Sequence, residues 1–86
     1  MCKYSEKTIY KKALNIGYKI EKGLVREYGE IYRDVTGRRF SGYNLLDAET
    51  GEPDHRSLYN GRDHMLSLEG IEDILKEEYE YLDMEY

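Results

Sequence analysis

The chain is poor in the residues that staple or anchor small proteins. It has one cysteine, Cys2, which excludes an internal disulfide framework and a cysteine-based zinc site. It has one proline, Pro53, which sits with Gly51 in the polar stretch 49–57, so that stretch reads as a loop. No apolar run approaches the length of a membrane-spanning helix, and no membrane partner is expected. The opening MCKYSEK carries charge with no apolar stretch behind it, which predicts no secretory signal and a cytoplasmic location. The glycines of GRRFSG, residues 37–42, match neither G-x-G-x-x-G nor a P-loop. Ser41, Ser57 and Ser67 lack a nucleophile-elbow context. No catalytic signature stands out, so the expectation is a protein that is not an enzyme and needs no cofactor.

What is present fits one small folded unit. Eighty-six residues predict a single domain, 1–86, with a core limited by its high surface-to-volume ratio. Disordered chains are poor in aromatics, whereas this one has ten tyrosines and a phenylalanine. Ser5 is placed to cap a first helix whose Ile9, Ala13 and Ile16 recur at helical spacing, and Gly17 ends it. Strand-like runs follow at 18–28, 30–35 and 39–48, with Gly23 suggesting a bulge and Gly29 and Gly37 permitting turns. Such short connections predict an antiparallel meander, because parallel strands need longer crossovers. Leu58 and Tyr59 suggest a short edge strand. Ser67 caps a second helix with Ile71, Leu75, Tyr79 and Leu82 along its apolar stripe. The expected fold is α+β in the order α-β-β-β-(β)-α, a small antiparallel sheet with two helices packed on one side.

Two Asp–His pairs, Asp54-His55 and Asp63-His64, supply ingredients for a metal site or acid–base chemistry. Their spacing matches no familiar ligand set, so no metal is expected. His64, just ahead of the second helix, is placed to hydrogen-bond the loop into position.

Charge divides the chain. Residues 1–43 carry a net +5 and residues 44–86 a net −10. Either the halves neutralise each other within the fold, or the asymmetry serves a partner. Residues 69–86 alone hold eight acids and one lysine. As a helix they would carry about one net charge per 4 Å, near the roughly 3.4 Å spacing of one nucleic-acid strand. Glu69, Asp73, Glu77 and Glu80 share a face at three- and four-residue spacing, and Tyr81 adds an aromatic of the kind enriched at interfaces. The ending KEEYEYLDMEY is therefore either a solvated helix end or a surface that imitates a nucleic acid. Tyr81 and Tyr86 are read as free of the core.

The basic half offers the alternative. Arg33, Arg38 and Arg39 cluster at a hairpin beside Phe40, and arginines with aromatics can hold a single strand. The net charge of −5 weighs against direct nucleic-acid binding, which remains the secondary reading.

The run GYNLLDAETGE…DHMLSLEGIEDIL, within residues 40–75, resembles short orphan proteins carried by phages and conjugative elements of Gram-positive bacteria. Small acidic proteins of that kind include anti-CRISPR inhibitors, many of which bind an effector where nucleic acid would bind. The resemblance implies a non-catalytic inhibitor in a bacterial host. Its partner would be a host protein with a basic surface, such as a CRISPR effector. No family motif assigns the contact positions, so the four acids are chosen on helix geometry alone.

Overall fold

A computed structural model describes residues 2–86. Helix α1 (Glu6–Asn15) begins where the Ser5 side chain accepts from the Thr8 amide and stops at Gly17, which has φ +88°. Strand β1 (Tyr18–Leu24) pairs antiparallel with β4 (Ser41–Asp47), running from Tyr18 opposite Asp47 to Leu24 opposite Ser41. Between them, β2 (Arg26–Glu27) and β3 (Glu30–Ile31) form a separate two-stranded ribbon. Helix α2 (Leu68–Tyr81) starts at Ser67, whose hydroxyl accepts from the Gly70 amide. The class is α+β, with the strands enclosed between two helices in the sequence.

The pairing differs from a regular meander. The run 30–35 does not insert between its neighbours; β1 and β4 pair directly, and residues 25–40 extend beyond them as an irregular hairpin. The physical reason is in that run's side chains: Ile31 and Val35 stay exposed, so it has no apolar face to bury. Gly23 is not a bulge either, since it lies in unbroken register opposite Gly42.

Ile20 of β1 and Leu45 of β4 stand opposite each other and face Ile9, Ala13, Ile71, Ile74 and Leu75 from both helices. Both helices thus pack on one face of the sheet. Burying each of these large aliphatic side chains contributes about 1.5–3 kcal/mol. The other face is covered by His64, whose ring lies over Gly23 and whose backbone carbonyl lies over Gly42.

The segment 52–66 closes the outer edge of β4. The Tyr43 amide donates to the Leu66 carbonyl at 2.8 Å and the Asp47 amide to the Glu52 carbonyl at 2.8 Å. Between them, the Leu45 amide donates to the buried Ser57 hydroxyl at 2.8 Å. A side-chain oxygen there replaces the carbonyl a neighbouring strand would supply.

Candidate partner-binding surfaces

The apolar stripe of α2 turns Ile71, Ile74, Leu75 and Tyr79 into the core. At about 100° per residue, Glu69, Asp73, Glu77 and Glu80 fall on the opposite side of that helix. All four are exposed, and Tyr81 beside them is 87% exposed. Asp73, Glu77 and Glu80 have no cation within ion-pair distance among the described residues. The structure therefore brings the five sequence-predicted positions to one surface.

Other acids of the same segment are internal. The Glu72 side chain is buried and accepts from the Lys3 amide at 2.6 Å, the Tyr4 amide at 3.3 Å and the Tyr86 hydroxyl at 2.9 Å. Burial alone would push its carboxyl up, but these bonds outweigh burial and hold it below the usual range. Glu78 pairs with Arg56 at 3.1 Å. The tail beyond α2 folds back. Asp83 takes φ +56°, the Met84 amide returns to the Tyr79 carbonyl, and Tyr86 packs edge-on against Tyr4 and Tyr79. Tyr86 thus belongs to the packed structure, contrary to the expectation that it is free. The signal was its partner: Glu72 sits on the apolar flank of the α2 wheel, where a buried acid needs donors.

Among the described residues, Asp73, Glu77 and Glu80 meet none of the first-half cations, and Arg62 of the acidic half pairs with Glu27 of the basic half at 2.8 Å. Those three acids carry their charge at the surface.

Arg33, Arg38 and Arg39 lie on the hairpin as expected, all exposed. Arg33 and Arg39 bridge across it, and Arg33 donates to the Gly37 carbonyl at 3.3 Å. Asp34 braces the tip by accepting from the Thr36 hydroxyl and from the Thr36 and Arg38 amides, which hold its carboxyl below the usual range. Tyr32 stacks on Phe40 at 6.0 Å, with Arg62 4.1 Å over Tyr32 and Arg38 5.3 Å over Phe40. These rings border a groove of about 310 Å³ with Val25, Met65 and Leu66. Glu27, Glu30 and Asp34 interleave with the arginines, so the hairpin is close to neutral.

The two Asp–His pairs serve the fold. Asp54 caps the 3-10 turn His55–Ser57 and receives Arg56 at 2.8 and 2.9 Å, which holds its carboxyl low. His55 is exposed, 3.7 Å from Asp54. His64 is buried at φ +56°, with Nδ1 2.7 Å from Asp63 and Nε2 3.0 Å from Glu21. Both ring nitrogens thus lie within hydrogen-bond distance of carboxylates. Among the described residues, no group of three or more His, Cys, Asp or Glu is arranged to hold a metal ion. No helix among them is long and apolar enough to cross a membrane.

Compared with protein-family models, curated proteins and solved structures, the chain finds no match.

Proposed function

We propose that this protein acts by binding. In this reading the acidic face of α2 occupies a basic, nucleic-acid-binding surface on a host protein and blocks it. The observation that carries the reading is the row Asp73, Glu77 and Glu80, exposed opposite the buried stripe with no cation paired to it among the described residues. Their axial steps of about 4.5–6 Å are of the order of phosphate spacing along a strand. Like charges at this spacing cost a helix a few tenths of a kcal/mol per pair, and acids near its C-terminus oppose the dipole. A surface kept at such a cost favours a use. The resemblance to small acidic proteins of phages and mobile elements fits an anti-CRISPR-like inhibitor in the cytoplasm of a bacterial host. Glu69 and Tyr81 complete the contact surface.

The test is recovery of a host protein by the wild type and by a variant carrying Glu69→Gln, Asp73→Asn, Glu77→Gln and Glu80→Gln. The expected result is a nucleic-acid-handling protein that only the wild type retains and that added single-stranded nucleic acid releases. Equal recovery by a folded variant would reject the reading.

The stacked Tyr32–Phe40 pair, capped by Arg38, favours one secondary reading: an accessory that holds single strands with Arg33, Arg38 and Arg39. Salt-dependent binding of a labelled oligonucleotide, lost in Arg38→Ala, would support it. No binding at low salt would exclude it.

A further inference from the structure

The outer edge of β4 is closed, but that of β1 is open. The β4 amides at Tyr43, Leu45 and Asp47 turn to segment 52–66. Alternation in an antiparallel pair therefore turns the even-numbered β4 amides to β1. It also turns the amides and carbonyls of Tyr18, Ile20, Lys22 and Leu24 away from β4. None of these eight groups bonds to another described residue, and β1 has no second strand partner.

Helix α1 forms a ledge above this edge. It packs on β1, and its Lys12 and Asn15 flank is committed to Tyr79 of α2. Tyr10 and Leu14 lie about 160–200° around the helix from Lys12, on the flank away from α2. That flank overlooks the open edge, and Leu14 is 58% exposed. Lys7 and Lys11 stand beside the ledge, and Lys19 and Lys22 lie on the strand below. All four lysines are exposed, and none is within ion-pair distance of a carboxylate among the described residues.

We propose that the β1 edge is an acceptor for an extended acidic peptide strand of a partner protein. The strand would pair with the outward groups of Tyr18, Ile20, Lys22 and Leu24. Its apolar side chains would rest on Tyr10 and Leu14, and its carboxylates would meet Lys7, Lys11, Lys19 and Lys22. Backbone pairing gives such a site its affinity, and the alternation of side chains gives it selectivity. The charge complementarity selects an acidic strand over a basic or neutral one. This site is separate from the acidic face of α2, and either can fail without the other.

The test uses a short peptide alternating glutamate with valine, its lysine–valine counterpart, and a single-stranded oligonucleotide of similar charge. Amide exchange and chemical shifts are read on isotope-labelled protein. The acidic peptide should bind saturably and slow exchange at the Ile20 and Lys22 amides, while the Lys19 and Glu21 amides, already bonded to β4, change little. Lys22→Pro removes one outward donor without touching the β4 ladder and should weaken binding about tenfold or more. Leu14→Glu, at an exposed position, should weaken it comparably and guards against misfolding of the proline variant. Asp73→Asn on α2 should leave binding unchanged. The proposal falls if the acidic peptide does not bind at low salt, or if the basic peptide binds equally well. It falls too if shifts are confined to lysine side chains, or if the oligonucleotide displaces the peptide and gives no backbone protection.

Discussion

Tyr86 donates its hydroxyl to the buried Glu72 carboxylate at 2.9 Å, on the same group that receives the Lys3 amide at 2.6 Å. One side chain in the first half of α2 thus fastens both flanking segments of the chain.

Glu72→Gln should cost about 2 kcal/mol in a urea melt at neutral pH, because bonds to a charged acceptor are lost from a buried site. The folded carboxyl lies below its ordinary value of 4.5, so its contribution is complete above that pH and is lost as pH falls through the folded value. The variant should therefore show a shallower loss of stability in acid than the wild type. A parallel acid profile in both would show that Glu72 does not govern it.

Tyr43 gives the opposite pH dependence. Its hydroxyl donates to Glu6 at 2.7 Å, and burial, reinforced by that bond and the Glu6 charge, pushes the phenol up to about 12. The contribution is whole below the ordinary value of 10.0 and disappears as pH rises through the folded value. Ultraviolet titration should show several late phenolates, because burial and the Glu72 bond raise Tyr86 as well. Tyr43→Phe should remove one of them and leave the Tyr86 step in place, and stability should then fall less between neutral and alkaline pH.

Gly42→Ala should destabilise the fold by about 3 kcal/mol, since the added methyl would overlap the His64 carbonyl oxygen and backbone must move. Gly17→Ala has open space around it and meets only the strain of φ +88°, so it should cost about 1 kcal/mol. Denaturant midpoints that rank the two the other way would contradict this account of how segment 64–66 lies on the sheet.

Ser57→Ala removes the acceptor of the Leu45 amide and should cost about 1–3 kcal/mol. Exchange at the Leu45 amide should accelerate more than at the Tyr43 amide, which keeps its Leu66 partner.

Local signals in the sequence predict the helices well. Ser5 and Ser67 cap as their spacing implies, and the stripes Ile9–Ala13 and Ile71–Leu75–Tyr79 are buried. The exposed acids of α2 were legible for the same reason, because helical spacing alone places them opposite the core. Pairing was less legible. Residues 30–35 alternate like a strand, but their alternation has no buried face to meet, and only the folded chain reveals that. The His64 cluster depends on Glu21, Asn44 and Asp63, brought together across more than forty positions, which no local spacing encodes. The open β1 edge is also a property of the pairing pattern, so it emerges only once β4 is seen between β1 and segment 52–66.

Closing β4 with Ser57 and leaving β1 bare has a consequence for assembly. A sheet with two bare edges is a link, and links can propagate into fibres. This sheet has one bare edge, so two copies joined through it leave no bare edge and growth stops at the pair. The sheet is monovalent by construction.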